Sequence, residues 1–329
     1  MNVLAIETSC DDTSASVIRE GRVVSNIISS QDIHDLWGGI VPELASREHI
    51  KAIAPIVTAA LTEANLQITD INLLAVTNGP GLAGSLLVGT QFAKGLSLRF
   101  GIPVVPVHHI EAHVYSGYLD DPNRPFPSIS LVVSGGHTSI FLVRSYTDYQ
   151  VLGSTRDDAA GEAFDKISKM LGLGYPGGPH IDRLARDGNA TAIDFPRGLQ
   201  HDGSYDFSFS GLKTSVKYYL RDHADTMNLN DVCASAQRAI VDVLVSKTLA
   251  AAQEHRVKVI TIAGGVSANS ELRTTMQDAC TKRGITFIAP RAEYCVDNAA
   301  MIGFLAVQRA DTASLDLSFT VDPRALRSL

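Results

Sequence analysis

Over the first thirty positions apolar residues alternate with polar ones or run together in short stretches; later they recur every three or four residues. The opening pattern predicts strands at Asn2–Glu7, Thr13–Arg19 and Arg22–Ser29. A tight turn at Glu20-Gly21 joins the last two into an antiparallel meander. Helical spacing from Pro42 to Ala64 is followed by a buried strand at Leu73–Thr77, a helix at Ser85–Arg99 and a strand at Val104–Val107. This alternation is that of a mixed sheet covered by helices.

The pattern then starts again. Ser128–Val133, Thr138–Val143 and Tyr149–Gly153 read as three strands, followed by a helix from about Asp158 to Leu171. A strand at Val259–Ala263, a helix at Ser270–Arg283, a strand at Thr286–Ala289 and a helix from about Asp297 to Gln308 complete the second round. The restart predicts an α/β protein of two domains with related topology. The first domain is placed at residues 1–108, with the polar tail 309–329 packing back on it. The second is placed at 109–308 and carries a less regular insertion, 172–210, rich in Gly, Pro and Asp.

A chain of 329 residues, 45% hydrophobic and 19% charged, is long enough for two packed cores and has ordinary globular composition. Its net charge of −7 repels polyanions as a whole, so nucleic-acid binding requires a local basic patch or a basic partner. Cys10, Cys233, Cys280 and Cys295 lack CxxC spacing and read as unpaired thiols of a reducing compartment. The chain opens directly on Val3-Leu4-Ala5-Ile6 without a basic leader, and no stretch of eighteen apolar residues occurs. The expectation is a soluble, cytoplasmic protein.

The densest chemistry lies in His108-His109-Ile110-Glu111-Ala112-His113. His109 and His113 stand four residues apart, which stacks them on one face of a helix expected to begin near Pro106 and lets them share one metal ion. Glu111 follows His109 by two residues and so projects to the opposite face, whereas a zincin protease needs its glutamate directly after the first histidine. Two histidines that merely cap or pack beneath the helix are the alternative.

Three glycine-bearing turns follow predicted strands: Ser134-Gly135-Gly136-His137-Thr138, Gly177-Gly178-Pro179 and Gly264-Gly265-Val266-Ser267-Ala268-Asn269. Such turns expose successive N–H groups to an anion, and the last runs into a helix N-terminus. No Walker pattern is present, and each turn alone reads as ordinary punctuation. Three together favour a nucleotide in an interdomain cleft. Glu7-Thr8-Ser9-Cys10-Asp11-Asp12-Thr13 crowds acidic and hydroxyl groups into a hairpin turn that can position metal, water or phosphate. Asp158, Glu162 and Asp165 form one acidic helix face, solvated beside Lys166 and Lys169; Asp165 could instead hold a ribose hydroxyl.

Across nearly its full length the sequence resembles the TsaD family, also called YgjD, Gcp or Kae, the tRNA N6-adenosine threonylcarbamoyltransferases. The resemblance rests on Ile6 to Thr13, Val41-Pro42-Glu43-Leu44-Ala45-Ser46-Arg47, Gly79-Pro80-Gly81-Leu82 and the histidine segment. It continues through the Ser134 turn, Asp157 to Lys166, Tyr175 to Pro179, Phe207-Ser208-Phe209-Ser210-Gly211-Leu212-Lys213-Thr214 and the Gly264 turn. It implies the actin/sugar-kinase/heat-shock ATPase fold, two duplicated domains with ligand in the cleft between them. It adds Asp297 to His109 and His113 as a third ligand of one divalent metal, Fe(II) foremost and Zn(II) second.

The implied substrate is threonylcarbamoyl-AMP, supplied by a TsaC-type synthase. Val132, Val133, Ser134, Gly135, Gly136, Asp165, Gly178, Asp182 and Asn269 would contact it, so that an adenylate occupies the cleft as part of the substrate. The implied reaction carries the threonylcarbamoyl group to the N6 amine of adenosine 37, beside the anticodon, in tRNAs reading codons that begin with A, and releases AMP. Asp11 and Asp12 are candidates for orienting the nucleophile or a metal-bound water; Asp12 stands where many bacterial members carry glutamate, and Ala112 where many carry glycine. Implied partners are tRNA, a TsaB-like paralogue forming a heterodimer and a TsaE-like ATPase. Competing readings are a sugar-kinase-like ATPase or phosphotransferase, a non-catalytic scaffold of the same fold, and a secreted glycoprotein endopeptidase, which the Glu111 geometry opposes.

Overall fold

The computed structural model describes residues 1–37 and 39–325. Their contacts separate two units, Met1–Arg124 with the chain from Pro290 onward, and Pro125–Ala289.

In the first unit β1 (Asn2–Glu7) pairs antiparallel with β2 (Asp12–Arg19), which pairs with β3 (Arg22–Ser30). On its other side β1 pairs parallel with β4 (Leu73–Gly79), and β4 with β5 (Val104–His108), giving the order β3-β2-β1-β4-β5. The period-2 rule sends alternate residues of β1 to opposite faces. Leu4 and Ile6 enter one core with Leu74, Val76, Ile53 and Val57 of helix α1 (Pro42–Glu63), and Ala93 of α2 (Ala83–Phe100). Ala5 meets helix α9 (Ala299–Gln308) on the reverse face, so close that a Cβ on Gly303 would stand 3.0 Å from Ala5 Cβ and 2.7 Å from Ile18 Cγ1. Both faces being covered, β1 reads as the near-continuous apolar run of a buried strand.

The second unit repeats this plan. β6 (Ser128–Val133) pairs antiparallel with β7 (Thr138–Val143) and β7 with β8 (Tyr149–Ser154). β6 also pairs parallel with β9 (Val259–Ala263), and β9 with β10 (Thr286–Ile288), giving β10-β9-β6-β7-β8. Each sheet therefore has one central strand, a meander on one side and parallel strands on the other, as the restart in the hydrophobic pattern predicts. Helices α4 (Ala160–Met170), α5 (Gly177–Ala185), α6 (Ser210–Asp222), α7 (Leu229–Glu254) and α8 (Ser270–Thr281) supply the rest of the core, with Phe164, Ile181, Val216, Ile240 and Leu272 buried together.

The structure departs from the sequence reading at four points. Helices α6 and α7 lie within residues 210–254, where the sequence reading places no element. Pro106 lies inside β5, and the helix α3 (His109–Tyr115) begins only at His109. β5 is an edge strand of its sheet, where a residue without an N–H is tolerated. The insertion holds a true helix, α5, whose Gly177-Gly178-Pro179 start resembles a turn. Helices α3 and α9, placed by sequence in residues 109–308 of the second domain, lie in the first unit, because α9 is apolar all round and seats on β1 and β2. The segment after α9 bridges Val104 through Ser314, and Lys94 donates from Nζ to the Phe319 carbonyl at 2.6 Å. Residues 326–329 of the tail lie outside the described residues.

Candidate metal centre and glycine turns

His109 and His113 reach one point because α3 starts directly off β5. His108 caps the helix, its Nδ1 accepting from the Glu111 N–H at 3.3 Å, and all seven helical residues are buried. The two imidazoles meet edge to face, ring centroids 4.7 Å apart. Asp297 arrives from the far end of the chain, immediately before the N-cap of α9. Asn298 Oδ1 accepts from the Met301 N–H, and Ser14 Oγ on β2 accepts from the Ala299 N–H. With α9 fixed to the sheet, Asp297 Oδ1 lies 3.0 Å from His113 Nε2 and 3.5 Å from His109 Nε2.

These three side chains each offer one ligand atom, and the atoms lie within 4.8 Å of one another. Two imidazole nitrogens and a carboxylate oxygen are the donor set of a borderline divalent cation, with coordination positions left over for a ligand. Burial disfavours charge on both rings. At His109 the Asp297 and Glu7 carboxylates outweigh it and push the pKa up, whereas burial and the neighbouring His109 hold His113 down. Local charge thus converges on the point a cation would take, and the residues fit the group.

Behind His109 stands Glu7, the last residue of β1 and fully buried. Its Oε2 lies 2.9 Å from His109 Nδ1 and accepts from Thr77 Oγ1 at 2.6 Å; its Oε1 accepts from the Ser9 N–H. Burial works to raise the Glu7 pKa, but the charge and hydrogen bond of His109 prevail and lower it. Sequence reasoning placed Glu7 only in a crowded acidic turn. The signal that singles it out is a charged residue closing an otherwise apolar buried strand.

Glu111 does face away from the histidines, as its spacing requires. It takes Arg309 Nη1 at 2.7 Å and Nη2 at 3.3 Å. A carboxylate committed to a bidentate guanidinium on the opposite face of α3 leaves a zincin arrangement without its base.

Asp11 and Asp12 follow β1. His49 of α1 pins this loop: its Nε2–H donates to the Cys10 carbonyl at 2.9 Å, and Thr13 Oγ donates to its Nδ1 at 2.8 Å. Burial raises both carboxyl groups, with Asp297 adding to it, and Asp12 is pushed up to about 7 despite a hydrogen bond from Ser30.

The second unit gathers the remaining candidates around the carboxyl ends of β6 and β9, where open α/β sheets bind ligands. Val132 and Val133 close β6 and are buried. The next turn is tied by the Ser134 N–H donating to the His137 carbonyl at 2.8 Å. Gly264 after β9 has φ +84°, and a Cβ there would stand 2.4 Å from the Val133 carbonyl. Asp165 of α4 accepts from the Gly177 N–H at 2.7 Å, binding the middle of α4 to the start of α5. Burial raises its pKa, which removes it from the solvated face, where Asp158 and Glu162 pair with Lys166 at 2.7 and 2.8 Å. Asp182 Oδ1 accepts from Ser270 Oγ at 2.7 Å, and Asn269 caps α8 by accepting the Leu272 N–H while its Nδ2 donates to Gln237. Cβ atoms added at Gly135, Gly136 and Gly178 would meet nothing within 4 Å, so there is room beside the backbone at these turns.

None of the four cysteines is joined in a disulfide, and Cys233, Cys280 and Cys295 are buried. Among the described residues no helix is long and apolar enough to cross a membrane.

Solved structures share the architecture. The HypF of T. kodakarensis superposes with a TM-score of 0.64 at 14% identity over 94% of this chain and 48% of its own. Component A of the (R)-2-hydroxyglutaryl-CoA dehydratase of Acidaminococcus fermentans superposes with 0.57 at 14% identity, over 95% of this chain and all of its own. The fold is that of the actin/sugar-kinase/heat-shock ATPases. In sequence, the "tRNA N6-adenosine threonylcarbamoyltransferase" of Prosthecochloris aestuarii is 53% identical over 321 residues, 93% of either chain. That of Moorella thermoacetica is 50% identical over 329 residues, 98% of this chain and 96% of its own. The family model for TsaD, tRNA N6-adenosine threonylcarbamoyltransferase, matches residues 22–304, and the chain belongs to the TsaD family.

Proposed function

We propose that this chain transfers the threonylcarbamoyl group from threonylcarbamoyl-AMP to the N6 amine of adenosine 37 in tRNAs reading codons that begin with A. The observation that carries the reading is the convergence of His109, His113 and Asp297 on one point in a member of this family. A divalent ion bound there, Fe(II) foremost and Zn(II) second, supplies Lewis-acid polarisation of a carbonyl oxygen. A sugar-kinase-like phosphotransferase has no use for such a set, and a non-catalytic scaffold has none for the charge gathered around it.

The other residues divide the remaining work. The backbone at Gly135, Gly136 and Gly178, with free space beside it, suits the phosphate of an adenylate, and Asp165, Asp182 and Asn269 suit its ribose and base. In the transfer, the N6 nitrogen forms a bond to the carbamoyl carbon, and the bond from that carbon to the AMP oxygen breaks. The amine loses one proton. Asp12, with its pKa near 7, is suited to accept it at neutral pH, and Asp11 beside it to orient the amine. The acidic chain engages tRNA with a TsaB-like paralogue and a TsaE-like ATPase, in the cytoplasm, and a TsaC-type synthase supplies the donor.

The decisive experiment follows label from threonylcarbamoyl-AMP into unmodified tRNA with the partner proteins present, comparing wild type with His109→Ala. Transfer by wild type and its loss in the variant support the reading. No transfer by metal-loaded wild type, under conditions where a family member from another source works, overturns it.

A further inference from the structure

We infer that Glu7 is the positioning residue of the metal centre: its buried carboxylate holds the Nδ1–H of His109 and so commits Nε2 of that ring to the ion. The inference rests on the metal reading above and assigns a task to a residue outside the ligand set.

The geometry is specific to one ring. His109 Nδ1 is 2.9 Å from Glu7 Oε2 and 3.2 Å from Ser9 Oγ, while Nε2 on the far side of the ring points at Asp297 Oδ1, 3.5 Å away. An imidazole that donates from one nitrogen presents a lone pair on the other, so the carboxylate sets the tautomer as well as the ring plane. Glu7 itself cannot turn. Thr77 Oγ1 of β4 donates to Oε2 and the Ser9 N–H to Oε1, so both carboxylate oxygens are held from neighbouring strand ends. His113 has no such partner: its Nδ1 is buried without a hydrogen bond, and its Nε2 lies 3.0 Å from Asp297. The carboxylate support is therefore specific to His109. A carboxylate behind a ligating histidine raises that ligand's basicity and fixes its orientation, and loss of such a partner costs about 10–100-fold in metal affinity.

The test is a competitive titration of the metal-free full chain with Zn(II) and Co(II), in wild type, Glu7→Gln, Thr77→Val, His109→Ala, His113→Ala and the two double variants with Glu7→Gln. Glu7→Gln should bind about 10–100-fold more weakly than wild type. Thr77→Val, which frees the carboxylate to rotate, should lose a smaller factor and covers the case in which the buried amide prevents folding. The double variants separate positioning from general structural damage. Glu7→Gln should weaken binding further in the His113→Ala background and leave it unchanged in the His109→Ala background. Equal losses in both backgrounds, or wild-type affinity in Glu7→Gln and Thr77→Val, overturn the role of Glu7 while leaving the metal centre standing. Failure of wild type to bind either ion overturns the centre and this inference with it.

Discussion

Asp12 couples the stability of the protein to pH. Burial first, then Asp297 and Asp11, raise its pKa from 3.8 to about 7, so the folded chain holds a proton that the unfolded chain releases. Between those two values the folded state binds more protons than the unfolded state, and stability contributed by this site falls as pH rises through the window. Asp12→Asn removes the penalty. In metal-free protein the variant should match wild type near pH 4 and be the more stable above pH 7, by on the order of 1–4 kcal/mol. Denaturant unfolding at both pH values checks it, and equal stability at pH 8 would show the carboxylate to be ordinary. Glu111 gives a second residue-scale expectation. Being committed to Arg309, it takes no part in proton transfer, so Glu111→Gln should keep threonylcarbamoyl transfer within about tenfold of wild type, whereas loss of a general base costs 10²–10⁴-fold. A larger drop in kcat at unchanged folding would return Glu111 to the active machinery. At this scale the sequence is legible where side chains act through local spacing, as with His109, His113 and Glu111. It is silent where a partner comes from afar: Asp297 lies 184 residues from His113, and only the family resemblance joins them.

Among the elements, strands were readable to within a residue or two because their burial is enforced by period-2 alternation or by cover on both faces. The failures have particular causes. In α5 the start Gly177-Gly178-Pro179 lacks helix formers, but Pro179 falls in the first turn, where its missing N–H costs nothing, and the Asp165 carboxylate receives the Gly177 N–H. A hydrogen bond from a side chain twelve residues upstream thus overrides weak local propensity, and the hydrophobic pattern carries no sign of it. The Gly264 junction between β9 and α8 was readable as a turn, but not the reason for its glycine. Its φ of +84° with ψ 163° belongs to a region that is nearly glycine-only, and any Cβ would press on the Val133 carbonyl. Gly264→Ala should therefore destabilise by about 1–3 kcal/mol or more, and weaken adenylate binding because β6 and β9 end together there. Unfolding and nucleotide titration of the same preparation measure both; an unaltered unfolding midpoint would mean the backbone relaxes without strain.

For the whole molecule, duplication sets the division of labour. Both sheets repeat one strand order, yet the candidate metal ligands lie wholly in Met1–Arg124 with the chain from Pro290, and the glycine turns lie wholly in Pro125–Ala289. The two sets lie in different units, so the two binding activities should be separable by single substitutions. His109→Ala should abolish tight metal binding and leave affinity for an adenylate such as AMP within about threefold of wild type, since no ligand of the first set belongs to the second core. The converse variant is Gly178→Leu. A side chain there enters open space rather than packed protein, so the unfolding midpoint and metal affinity should hold while AMP affinity falls at least about tenfold by displacement of the phosphate from the backbone. Titrating each variant with Zn(II) and with AMP gives four affinities. If Gly178→Leu binds AMP like wild type, the adenylate does not use the α5 turn, and the assignment of Gly178 fails while that of the metal centre stands. If His109→Ala loses both ligands with its fold intact, the two cores do not act independently, and duplication has not separated the chemistry it carries.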